Sequence, residues 1–207
     1  FFTIVGIENW RWIACIWAFV PLCNIYNFAT CPIESLVEDG QGLSIKDLFK
    51  LPVFWVCLVL MICAGASELS MAQWASAYVE AALGLSKTMG DLAGPCLFAL
   101  TMGICRVFYG KYGEKVDLKK FMLASGILCL VCYIMASVSG NPVVGLIGCV
   151  VCGASVGIMW PGTISISSGC IPKGGTAMFA MLAMAGDMGG TIGPAIVGRI
   201  AQANGDA

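Results

Sequence analysis

Three charged residues stand inside long apolar runs of this sequence: Glu68, Arg106 and Asp187. A charged side chain near the centre of a bilayer costs at least about 2.5 to 3.5 kcal/mol, so each is a candidate for function rather than for packing. A carboxyl shielded from water can take up and release a proton near neutral pH, which assigns Glu68 and Asp187 to proton exchange. The plainer alternative is an acid hydrogen-bonded to a neighbouring helix. Counted along a helix from Leu51, Glu68 lies roughly 25 Å in, in the outer half of the membrane; counted from Thr176, Asp187 lies roughly 17 Å in, near the midplane. Arg106 falls one turn from a helix end, where it snorkels to the headgroups as a topological anchor. Its other reading is a salt bridge to an acid that works an inner gate.

Amide and aromatic groups inside the runs suit a solute with hydroxyls and CH faces. Gln73, Trp74, Trp160 and Asn24 are the positions that offer them, and Pro161 beside Trp160 frees a backbone carbonyl deep in its run. Trp10, Trp12 and Trp55 sit at the ends of runs and read as interface markers. Enzyme chemistry is excluded on residue types: the chain has no His, no G-x-S-x-G and no P-loop. Glycosidase carboxylates would need to flank a sugar in water. No cofactor is expected. Cys129, Cys132, Cys149 and Cys152 have the C-x2-C, sixteen residues, C-x2-C spacing of a zinc site. Their neighbours are Leu and Val, which supply no polar support for zinc thiolates, so packing is the reading adopted and no metal is assigned.

The elements that carry these residues follow from composition. Of 207 residues, 59% are hydrophobic and 11% charged, where a soluble domain has about 25% charged. Mean hydropathy is +0.89. The chain is therefore an all-α polytopic membrane protein. Six apolar segments are each near the roughly 20 residues a spanning helix needs: Trp10 to Thr30, Leu51 to Leu83, Asp91 to Gly110, Lys119 to Ser139, Pro142 to Ser168 and Gly175 to Ala201. Five of the eleven basic residues, Arg106, Lys111, Lys115, Lys119 and Lys120, crowd one loop, which fixes that loop on the cytoplasmic side. With it inside, eight basic residues lie inside and three outside, as six spans require. Many of the 26 glycines fall within spans, where they let helices approach closely. The net charge of -1 gives nucleic acid nothing to bind. Phe1 to Gly6 reads as the tail of an earlier apolar run, and the chain reads as an internal fragment with no signal peptide.

Three features together resemble the major facilitator superfamily, in its second half. Asn9-Trp10-Arg11-Trp12 looks like the outer turn before the sixth helix. The basic loop is similar to the family's G-x-x-x-D-R-x-G-R-[RK] signature through Gly110, Glu114, Lys115 and Lys119, while Asp117 and Leu118 depart from it. LPVFWVCLVLMICAGASELSMAQW, the Trp160-Pro161 break and GDMGGTIGPAIVG look most similar to bacterial sugar carriers of the fucose-permease type. The resemblance implies a division into residues 1–30 (end of helix five and helix six of an N-terminal bundle), a cytoplasmic linker over 31–50 and a C-terminal bundle over 51–207 (helices seven to eleven, the last helix missing). It implies an inner-membrane, multi-pass secondary carrier working by alternating access as a proton symporter, with a small polar solute, sugar by class. Its partners would be that solute, the proton, the bilayer and the missing N-terminal bundle. Gln73, Trp74, Trp160 and Asn24 would bind the solute, Glu68 and Asp187 the proton, and Arg106, Gly110, Glu114, Lys115 and Lys119 would serve the gating loop. The alternative is a self-standing six-helix channel or membrane scaffold.

Overall fold

The computed structural model describes residues 10–32 and 42–204. The tail at Phe1 to Gly6, Asn9, the acidic part of the linker and the last three residues lie outside the described residues. The chain divides into two units, residues 1–38 and 39–207. The first contains α1 (Trp10–Thr30), an apolar helix with Pro21 inside it, and Asn24 lies on this helix.

The second unit is a bundle of helices with no strand among its described residues. It begins with the short helix α2 (Ile45–Leu48), capped by Ser44, whose hydroxyl oxygen accepts from the Asp47 N–H. Next comes α3 (Pro52–Leu83), which starts on Pro52 and ends on Gly84 at φ 62°, a left-handed conformation that favours glycine. The third segment joins α4 (Lys87–Asp91), one π-helical stretch (Leu92–Cys96) around Pro95, α5 (Leu97–Tyr112) and a 3-10 turn (Gly113–Lys115). α6 (Leu118–Val138) follows. The fifth segment is broken, into α7 (Pro142–Val156) and α8 (Met159–Cys170), and α9 (Gly175–Asn204) closes the order. Among the described residues, five stretches are long and apolar enough to cross a membrane: Pro52–Leu83, Lys87–Lys115, Leu118–Val138, Pro142–Cys170 and Gly175–Ala203. The segments expected from Leu51 onward are thus all present. The protein is an all-α, multi-pass membrane bundle.

α3 is the organising helix. On one side it meets α9 through glycines: a Cβ on Gly65 would stand 2.9 Å from the Gly186 carbonyl carbon, and one on Gly193 would stand 2.9 Å from Ala66 Cα. Backbones this close leave no room for side chains at the seam. One core gathers Leu48, Phe54, Met61, Met178 and Leu182 from α2, α3 and α9. A second gathers Met71 and Ala75 from α3, Phe98 from α5, and residues of α6 and α7. The two cores lie on different stretches of α3, and Glu68 falls between them in sequence.

Candidate functional site

Pro161 has no N–H, so the carbonyl four residues earlier, that of Gly157, receives no helical hydrogen bond from it. This happens where α7 gives way to α8, in the middle of the fifth segment. A bare carbonyl there needs a donor, because the hydrocarbon region offers no water. α5 delivers one. Gly157 allows it to come close, since a Cβ on Gly157 would stand 3.0 Å from the Met102 carbonyl oxygen and 3.1 Å from Cys105 Cβ. Arg106, next in the chain, then donates from Nε to the Gly157 oxygen at 3.1 Å.

The same guanidinium reaches α3. Arg106 Nη2 lies 3.6 Å from Glu68 Oε1, with side-chain exposures of 44% for Arg106 and 16% for Glu68. The carboxylate's other oxygen, Oε2, is buried and has no hydrogen-bond partner among the described residues. A carboxylate with one oxygen paired and the other bare is an acceptor held in reserve, for a proton or a donor on a bound molecule. Sixteen residues of α3 precede Glu68 and fifteen follow it, so it stands at the midpoint of the helix. At 32 residues α3 is longer than the roughly 20 that a bilayer needs. Arg106 is correspondingly more than a headgroup anchor: it joins α3, α5 and the break in the fifth segment through one planar group.

The other expected positions do not converge on this pair. Trp74 is half-buried; its indole N–H donates to the Pro194 oxygen at 3.1 Å, and its ring covers Gly198. Trp160 is half-buried against the first core, with its ring over Gly186. Gly186 and Gly198 are twelve residues, roughly 18 Å, apart along α9, so the two indoles do not form one subsite. Gln73 is exposed on α3 and Asp187 is exposed on α9. Asn24 belongs to the other unit. Gly110 lies in α5, Glu114 and Lys115 lie in the 3-10 turn, and Lys119 lies in the first turn of α6.

Sequence reasoning missed two residues. Gly157 supplies the carbonyl that Arg106 binds; the signal was available, since Pro161 names the orphaned acceptor by its offset of four. Asp117, noted only as a departure from a family signature, is the N-cap of α6. Its Oδ1 accepts from the N–H groups of Lys119 at 3.0 Å and Lys120 at 3.3 Å, and aspartate ahead of a helix is itself a capping signal.

A cavity of about 390 Å³ lies among α3, α6 and α8, lined by Leu60, Cys63, Ser67, Cys129, Tyr133 and Thr163, among others. Its hydroxyls are already committed. Ser67 Oγ donates to the Cys63 oxygen at 2.8 Å, Thr163 Oγ1 to the Met159 oxygen at 2.7 Å, and Tyr133 OH to the Ser67 oxygen at 2.7 Å. What remains is apolar surface, which does not suit a sugar.

Residues 1–194 match a family model whose description is Major Facilitator Superfamily. No curated protein and no solved structure matches the chain.

Proposed function

This chain belongs to the Major Facilitator Superfamily, and on that premise we propose that it is part of a secondary carrier in which Glu68, held by Arg106, is the coupling acid. That it is a multi-pass membrane transporter of the superfamily follows from the family. The observation that carries the finer reading is the Glu68–Arg106–Gly157 linkage. A proton arriving on Glu68 weakens its hold on Arg106, and Arg106 is at the same time the donor that satisfies the break between α7 and α8. Proton occupancy and the shape of the fifth segment are thereby coupled through a single side chain. Alternating access needs such a coupling, since a ligand shifts a conformational equilibrium only by the difference in its interactions with the two states.

In this reading residues 51–207 form one bundle of the carrier, residues 1–30 belong to the end of the other, 31–50 join them on the cytoplasmic side, and the protein resides in the inner (plasma) membrane. The cargo is a small polar solute, with sugar as the class that the amide and aromatic positions favour. Gln73, Trp160 and Asn24 are its proposed contacts. Trp74, whose ring lies roughly 18 Å along α9 from that of Trp160 and whose N–H is spent on Pro194, is proposed only as an alternative contact, through its ring face. Asp187 is the second proposed proton site, and Gly110, Glu114, Lys115 and Lys119 the gating loop.

The test is solute-driven proton uptake in vesicles holding the full carrier, with a panel of neutral sugars and a pH-sensitive dye inside. Glu68→Gln is expected to abolish proton uptake while leaving solute counterflow, which needs no net proton movement. Asp187→Asn, made separately, reports on the second acid. Wild-type proton flux in both variants removes these acids from the mechanism, and flux that fails to saturate with solute removes the carrier itself.

A further inference from the structure

The second core contains four buried thiols that the transport reading does not use: Cys129 and Cys132 on α6, and Cys149 and Cys152 on α7. The two helices are joined by a short turn at Ser139–Asn141 and pack side by side. An antiparallel pair about that turn sets Cys129 opposite Cys152 and Cys132 opposite Cys149, both pairs sharing one sequence midpoint. The side chains agree: Cys152 is the hydrogen-bonding partner of Cys129, and Cys149 lies within electrostatic reach of Cys132, as Cys132 does of Cys129. The helices are close here, because a Cβ on Gly148 would stand 2.8 Å from the Cys132 carbonyl oxygen. Such an approach brings facing Cβ atoms toward the roughly 3.5 to 4.5 Å that a disulfide spans. Among the described residues no group of three or more His, Cys, Asp or Glu is arranged to hold a metal ion. The four cysteines are two dithiols, one turn apart.

The dithiols differ in access. Cys129 lines the 390 Å³ cavity, and Cys132, Cys149 and Cys152 are not among its lining residues. Relative exposure is 7% for Cys129 against 1% for Cys132 and 1% for Cys149. The cavity's hydroxyls are used internally, so it admits an uncharged, weakly polar reagent and repels a charged one. The hydroxyls of Ser67 and Ser155 lie beside Cys129, with their protons given to the Cys63 and Cys152 carbonyl oxygens.

We propose that Cys129 and Cys152 form an oxidation site whose reagent is an organic hydroperoxide entering through this cavity. The Cys129 sulfur attacks the distal peroxide oxygen. The O–O bond breaks, the alcohol leaves with the thiol proton, and Cys129 becomes a sulfenic acid. The Cys152 sulfur then displaces hydroxide from that sulfenic sulfur; the Cys152 proton joins it as water, and the S–S bond forms. The two sulfurs together lose two electrons, and the peroxide gains them. The product fastens α6 to α7 just before the break at Gly157.

The experiment treats membrane vesicles carrying the full protein with cumene hydroperoxide, alkylates the remaining thiols under denaturing conditions and maps the linkages by tandem mass spectrometry. The expected product is a Cys129–Cys152 link in roughly tenfold excess over any Cys132–Cys149 link, following exposure. In Cys152→Ala the link disappears and Cys129 is captured by dimedone as the sulfenic acid. Cys149→Ser leaves the Cys129–Cys152 link in place, which separates loss of the site from loss of the fold. Recovery of Cys129 and Cys152 as free thiols under a dose that oxidises Cys63 would overturn the assignment. So would equal formation of the two links.

Discussion

If Arg106 is recruited to Gly157 because Pro161 cannot donate to it, then restoring that donor should make Arg106 less important. Pro161→Ala returns an N–H at the required offset. The backbone between them is right-handed helical, with Gly157 at φ -53°, ψ -33° and Ile158 at φ -96°, ψ -14°, so the new N–H points along the segment toward the Gly157 oxygen. Removing Arg106 on its own would strand Glu68 as an unpaired buried carboxylate, at a cost of several kcal/mol unrelated to the break. The comparison therefore belongs in a Glu68→Gln background, with Arg106→Leu and Pro161→Ala introduced singly and together.

With Pro161 present, Arg106→Leu leaves the Gly157 carbonyl unsatisfied, a loss of about 1 to 3 kcal/mol for a buried acceptor. Arg106 is 44% exposed, so its bond to Gly157 is only partly shielded and the value belongs at the lower end, about 1 kcal/mol. Once Pro161→Ala is in place, the carbonyl keeps a partner and that loss vanishes. Packing lost with the arginine stem is common to both arms and cancels in the cycle. The expected coupling is therefore about 1 kcal/mol, with Arg106→Leu milder in the protein that carries Pro161→Ala. Denaturant unfolding of the four proteins in micelles measures it. Additivity within about 0.3 kcal/mol would refute the idea that one proline sets the role of the arginine.

Three further outcomes follow from the packing and the linker. Gly65→Ala places a methyl against the Gly186 and Gly190 backbone and should destabilise the bundle by about 1 to 3 kcal/mol. Gly126→Ala, with no atom within 4 Å, should be neutral or stabilising by up to about 1 kcal/mol; equal effects in micelle unfolding would contradict the α3–α9 seam. Tyr133→Phe loses the bond to the Ser67 oxygen and should cost about 1 kcal/mol in the same assay. In the linker, Lys50 first and then Ser44 hold the Asp47 carboxyl below its ordinary value of 3.8. Its support for α2 is thus complete above that value and lost as pH falls through the lower folded one. Amide exchange at Lys46 to Lys50 should be unaffected between pH 8 and pH 5, apart from the intrinsic pH dependence of exchange. It should be faster in Asp47→Asn at pH 7, and equal rates in the two proteins would remove the carboxylate from the cap.

The spans were legible because each is a matter of length and apolar composition along one stretch of chain, and such information is local. Charge exclusion from hydrocarbon is also local, and it singled out Glu68 and Arg106. What it could not give was their meeting, since 38 residues separate them and nothing in either stretch says which faces of α3 and α5 oppose each other. Trp74 shows the limit of residue type as a guide. An indole in a span offers an N–H and a face whether it meets a solute or a neighbouring helix, and here Pro194 takes the N–H.

Proline and glycine carried more non-local information than the charges did. Pro161 fixes, by covalent structure alone, that the Gly157 carbonyl lacks its helical donor. Gly157 fixes that a second helix can come close enough to supply one. Together they predict a donor on another segment at the same depth, and the bundle answers with Arg106, one residue after the Cys105 that Gly157 contacts. A charge in the membrane core that appears expensive taken alone thus answers a need created about fifty residues away. The cost of its burial is shared between Glu68, which neutralises it, and a broken helix that would otherwise leave a carbonyl bare.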